Sequence, residues 1–229
     1  MTRKNSLFLL FFISVSVMAA CAVSHHALPA FTGAAPVTIV LDAGHGAPDG
    51  GAVGVSGTEE KDINLDIVFK LREILTARGV NVILTRDSDS GIYDSSAETI
   101  HEKKVSDMKN RLDIINNSNT KLVISIHMNS FNDRSAHGLH VFYARNHPEA
   151  EAVAVSVQES IAALTGADTH TVKAASDTLY LMKAPIPPII LVECGFLSNP
   201  DEEALLNTEE YRAKIAFAIA NAVFEQLSN

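Results

Sequence analysis

Apolar, β-branched runs alternate along this chain with stretches of helical periodicity, and that alternation leaves few folds open. The runs cover residues 37–41, 80–85, 122–126, 138–144 and 189–192. Between them, Ile63, Ile67, Leu71, Ile74 and Leu75 recur at helical spacing from about 62 to 78, with Gly79 at the expected stop. Met108, Leu112 and Ile115 mark a second helix ending near 116–119, while 91–103 is polar and reads as a loop or loose helix. Residues 150–165 and 208–227 complete the helices. Strands separated by helices of this length predict an α/β layered domain with a largely parallel sheet. At 229 residues, 47% hydrophobic and 20% charged, the chain can bury one substantial core.

The first run is followed by an unusual stretch, "LDAGHGAPDGGAVG", residues 41–54, which stays almost free of bulky side chains. It places His45 beyond a strand's carboxyl end, where ligands gather in open α/β sheets. A phosphate loop of the form G-x-G-x-x-G would need glycine at Asp49, and no G-K-[ST] follows. Two further runs end in comparable residues: His127 after "LVISI" and Glu193 after "IILV". Glu60 stands where the Gly-rich stretch enters the first helix, so its carboxylate can turn back toward the same crevice. Two histidines and one of the glutamates suit a catalytic zinc, which accepts imidazole nitrogen at about 2.0–2.1 Å and carboxylate oxygen at about 2.0–2.2 Å. The other glutamate is then free to act as a base. Arg86 and Arg111 are candidates for binding substrate carboxylates, or else structural ion pairs at element ends. Asn129 and His140 are candidates for lining the pocket.

Other motifs carry less. "HEKKV" at 101–105 lacks the second histidine of H-E-x-x-H, and no G-x-S-x-G elbow is present. Cys194, inside an apolar run, reads as a small buried hydrophobe. At the other end, Arg3 and Lys4 precede an apolar run from Leu7 to Val17 and the small residues before Cys21. This is a secretory leader over 1–21, too short for a comfortable membrane span, and "VMAAC" is similar to a lipoprotein processing site that would put a lipid on Cys21. Residues 22–36 read as a linker and 37–229 as the catalytic domain. Residues 1–20 hold two positive charges and no acid, so the formal charge of −9 becomes −11 without them. Such a balance argues against nucleic acid as a partner.

Four stretches together, "LDAGHGAPDGGAVGVSGTEEKDINL", "ILTRDSD", "LVISIHMNSF" and "LVECGFLSNPDEEALL", resemble the zinc-dependent N-acetylmuramoyl-L-alanine amidases of bacterial cell walls. The resemblance implies a single domain with a mixed, mostly parallel sheet between helices, similar to the zinc carboxypeptidase architecture. It further implies hydrolysis of the bond between the lactyl group of muramic acid and L-alanine in peptidoglycan. Its zinc ligands fall on His45, Glu60 and His127, and its catalytic glutamate on Glu193; Glu59 is out of register. "DMKNRLDIINNS" and "YLMKAPIPPIILVECGFLSNP" are similar to members acting in spore cortex maturation, which implies an extracytoplasmic enzyme with a membrane anchor and an activating or localising protein partner. The competing readings are a zinc carboxypeptidase on stem peptides, against which Pro48 stands in place of the Glu of H-x-x-E, and a non-catalytic wall-binding module.

Overall fold

The computed structural model describes residues 36–176, 178–183 and 185–227, so the leader, Cys21 and all of the linker but Pro36 lie outside the described residues. Six strands form one sheet: β1 (Thr38–Ala43), β2 (Asn81–Leu84), β3 (Leu122–Asn129), β4 (His140–Tyr143), β5 (Lys173–Ala174) and β6 (Ile189–Phe196). Their spatial order is β2-β1-β3-β6-β4-β5. The first four in that order are mutually parallel, and β4 runs antiparallel to β6 with β5 parallel to β4. The expected mixed, mostly parallel sheet is therefore present.

Alternation along each strand sorts the side chains onto two faces. Ile39, Leu41, Ile124, Ile126, Ile190 and Val192 enter a large core with α1 (Glu60–Ala77), α3 (Ala150–Thr165) and α5 (Glu209–Leu227). Val40, Val123, Ile189 and Leu191 enter a smaller core, capped by Ile115 of α2 (Ile100–Asn117) and by a 3-10 turn, Tyr180–Met182. Two residues further along the strands of this second face come the polar side chains Asp42, Ser125 and His127, with Glu193 after Leu191. The smaller core thus opens at its upper end into the site.

Several elements differ from the sequence expectation. The second helix starts at Ile100, inside the segment read as a loop, because Thr99 and Glu102 form a reciprocal capping box that starts a helix despite its polar surface. Strands β3 and β6 run past His127 and Glu193 to Asn129 and Phe196, so both side chains sit within strands rather than at their ends. An additional short helix, α4 (Pro200–Leu206), starts at Asn199, whose side chain accepts from the Asp201 and Glu202 amides. Its Glu202 and Glu203 accept main-chain N–H bonds from Gly138, Phe196 and Ser56, tying three loops together. Among the described residues no helix is long and apolar enough to cross a membrane.

Candidate active site

Parallel pairing places His127 on β3 directly beside Glu193 on β6, and antiparallel pairing places His140 on β4 directly beside Glu193. One row across three strands therefore carries three proton-active groups. His45 reaches the row from the turn after β1, where it adopts a left-handed backbone conformation with φ 61°. Glu60 reaches it from the first residue of α1.

The Gly-rich stretch leaves space for these side chains. A Cβ on Gly44 would lie 2.3 Å from the His127 ring, and one on Gly51 would lie 2.6 Å from Glu60 Oε2 and 2.7 Å from His45 Cδ2. Gly51 also has φ 71°, which side-chain-bearing residues rarely adopt.

The Glu60 carboxylate lies between two imidazoles. His127 Nδ1 is 2.9 Å from Oε1, and His45 Nε2 is 3.2 Å from Oε2. Oε1 also accepts from the Met128 amide at 3.0 Å and Oε2 from the Ala52 amide at 2.8 Å. Burial alone would raise the Glu60 pKa, but the two imidazoles outweigh it and hold the carboxyl far below the usual range. Burial would likewise lower His127, yet Glu60 pulls it up to about 9. One donor atom from each of His45, Glu60 and His127 lies within 4.8 Å of the others, a nitrogen–nitrogen–oxygen set able to hold a metal ion. A cation and the His127 proton would compete for these atoms.

Glu193 differs from Glu60 in having no such support. Its Oε2 is buried with no hydrogen-bond partner among the described residues. Burial pushes its carboxyl up to about 7, with Glu60 adding to the rise and His127 opposing it. Two glutamates in one site are thus driven apart, one locked as an anion and one poised near neutrality, the pattern that separates a ligand from an acid/base.

Arg86 and Arg111, offered above as substrate contacts, are not available for that role. Arg86 is buried and donates to the main-chain oxygens of Ala43, Gly44, Lys61 and Ser88. Arg111 is 1% exposed and donates to Asp42 Oδ1 at 2.7 Å, Asp107 Oδ2 at 2.7 Å, Ala43 O at 2.6 Å and His45 O. Both guanidiniums fix the chain turn that presents His45, which is the structural alternative raised for them from sequence. Asn129 ends β3, with its Oδ1 accepting from the Ser130 amide. His140 stacks on Phe142 at 4.0 Å between centroids; its Nε2 is buried without a hydrogen-bond partner among the described residues, and burial pushes its pKa down to about 4. Cys194 is buried, its thiol pushed up by that burial, as a structural cysteine would be.

Two residues escaped the sequence reading. Asp49 places Oδ2 3.0 Å from His45 Nδ1, and its Oδ1 pairs with Lys104 Nζ at 2.8 Å. A carboxylate four residues after a candidate ligand histidine is the pattern that could have flagged it. Asn64 donates from Nδ2 to Gly44 O at 3.1 Å and to Glu60 Oε1 at 3.3 Å, one helical turn after Glu60.

Residues 39–225 match the family described as N-acetylmuramoyl-L-alanine amidase. The germination-specific N-acetylmuramoyl-L-alanine amidase of Bacillus subtilis (strain 168) is 37% identical over 185 residues, covering 81% of this chain and 77% of that protein. The N-acetylmuramoyl-L-alanine amidase AmiA of Escherichia coli (strain K12) is 29% identical over 230 residues, covering 81% of this chain and 74% of its own. Among solved structures, the CwlD amidase from Clostridioides difficile, determined in complex with the GerS lipoprotein, matches with a TM-score of 0.80 at 40% identity, over 84% of this chain and 98% of that one.

Proposed function

The chain belongs to the N-acetylmuramoyl-L-alanine amidase family, and from that premise we propose that it is a zinc-dependent peptidoglycan amidase of spore cortex maturation. The bond cleaved joins the lactyl group of N-acetylmuramic acid to the L-alanine of the stem peptide. The observation that carries this is the pairing of a two-histidine, one-carboxylate cluster with an unpartnered glutamate on the adjoining strand. The cortex role is supported by the 37% identical germination-specific relative.

His45, Glu60 and His127 would hold the zinc, which when bound supplies Lewis-acid chemistry that activates water and polarises an amide carbonyl. Glu193 takes the proton released by the attacking water and hands it to the departing L-alanine nitrogen, the two transfers that one positioned carboxyl can perform in amide hydrolysis. Glu60 stays anionic throughout, locked by two amides and two imidazoles.

The test is mass spectrometry of peptidoglycan digested by the zinc-loaded protein. Free stem peptides beginning at L-alanine are expected, and a chelator abolishes them while circular dichroism stays unchanged, because the strands pack without the ligands. Stem peptides shortened from their carboxyl end would establish a carboxypeptidase instead, and an undigested wall would establish a binding module.

Asp49 fixes which His45 nitrogen carries a proton, leaving Nε2 toward Glu60. Removing such a partner typically weakens metal affinity about 10–100-fold. Asp49→Ala is therefore expected to raise the zinc Kd by that factor in competition titrations against a chromophoric chelator. An unchanged Kd would mean that Asp49 serves only Lys104.

A further inference from the structure

A cavity of about 620 Å³, open to solvent, lies between α2 and the sheet, with His45 and His127 on one wall. Its other lining includes Tyr93, Ile100, Lys103, Lys104, Met108 and Leu181. Three cations border it. Arg111 has its donors filled by carboxylates and main-chain oxygens, and Lys104 is on Asp49. Lys103 is half-buried over the Tyr93 ring, at 5.2 Å from its centroid, and pairs with no carboxylate among the described residues. The three aspartates that line the same cavity are already engaged, Asp42 and Asp107 by Arg111 and Asp49 by Lys104 and His45, so the half-buried Lys103 ammonium is left without a carboxylate among the described residues. Something anionic is missing from it.

The substrate class decides what that is. Once the lactyl carboxyl of muramic acid is tied up as an amide, the N-acetylated sugars carry no charge, and the anions of a muramoyl peptide all belong to its peptide. We propose that Lys103, backed by the Tyr93 ring, is the seat for a stem-peptide carboxylate, which makes the cavity under α2 the peptide side of the cleft and Lys103 a specificity-determining residue. This rests on the amidase reading above. It also replaces the arginines as the carboxylate contact: Arg86 and Arg111 are fixed in the frame, whereas Lys103 is free to reach. A cation with a flexible stem and an apolar collar binds a carboxylate as a point charge, so it discriminates by charge more than by shape.

The experiment compares two synthetic muramoyl-L-alanyl peptides, identical except that the residue after L-alanine carries a free carboxylate or its carboxamide. The zinc-loaded wild type is expected to favour the carboxylate in kcat/KM by about tenfold, with the difference in KM, the size of about 1.4 kcal/mol of ion pairing at a partly exposed site. Lys103→Gln brings the ratio to about one, Lys103→Arg keeps it, and Lys109→Gln, an exposed lysine on the same helix, leaves it untouched. A ratio near one in wild type, or one that survives Lys103→Gln, overturns the proposal. Binding gives an answer that does not need turnover: in protein with ¹³C-dimethylated lysines, the Lys103 methyl resonance should move with the carboxylate peptide and not with the carboxamide. If neither peptide is cleaved, the amidase reading fails, and this shift still decides whether Lys103 holds a carboxylate; no shift overturns it.

Discussion

Glu193→Gln lowers hydrolysis of muramoyl-L-alanine amides by about 10²–10⁴-fold while the protein keeps its metal, the range that a positioned general acid/base contributes. Glutamine keeps the shape and volume of glutamate and removes the proton acceptor. The loss should therefore fall on kcat, with KM held, because the sugar and peptide contacts remain. Glu193 makes no hydrogen bond through Oε2, so no network collapses with the substitution. The amide nitrogen introduced there finds no acceptor, which costs some stability but leaves the three donors in place. Metal analysis accompanies the kinetics. A variant that loses its metal would make Glu193 a ligand and return the role of base to Glu60.

Arg111→Met should be the most damaging substitution outside the reacting groups. Asp42 is wholly buried; burial would raise its carboxyl, but Arg111 together with His127 and the hydroxyls of Ser125 and Thr85 holds it at about 2. Taking away the guanidinium leaves that anion in the interior, strips Asp107 of its pair and frees the His45 carbonyl, while Ala43 O keeps its bond from Arg86. Breaking a buried pair from one side typically costs 3–5 kcal/mol, or roughly 6–20 °C in Tm for a domain of this size. Calorimetry on the purified chain reads it directly. The double variant Asp42→Asn, Arg111→Met should recover part of the loss, since it removes the stranded Asp42 charge; a double variant as unstable as the single would assign the cost to Asp107 and the His45 carbonyl.

Much of this architecture was legible in the chain. The parallel strands announced themselves as continuous apolar runs because both faces of the sheet are covered, and His45 and His127, two members of the metal-competent cluster, stood out as polar residues closing such runs. What stayed hidden has physical reasons. The sequence left two roles open for the arginines because the main-chain carbonyls that hold Arg86, and share Arg111 with Asp42 and Asp107, have no letter in a sequence. The upper ends of β3 and β6 were cut short because the site interrupts the apolar pattern inside the strand: His127 and Glu193 occupy positions where a leucine would have continued it. Strand β5 is two residues long and carries no periodicity. The start of α2 was available in Thr99 and Glu102, but its surrounding polarity outweighed the cap.

The two cores differ in size, and the difference has a dynamic consequence. Glu60 of the metal-competent cluster stands on α1, which is packed into the large core, whereas the cavity's outer wall is α2, held to the sheet by the small core and the Arg111 network. Local opening free energies follow the apolar surface that must be exposed, so amides of α2 should exchange with deuterated solvent well before those of α1. The cleft can then widen on the α2 side to admit a cross-linked polymer strand while Glu60, His127 and Glu193 keep their spacing, and His45, whose turn Arg111 holds from α2, is the member of the cluster that such opening would loosen.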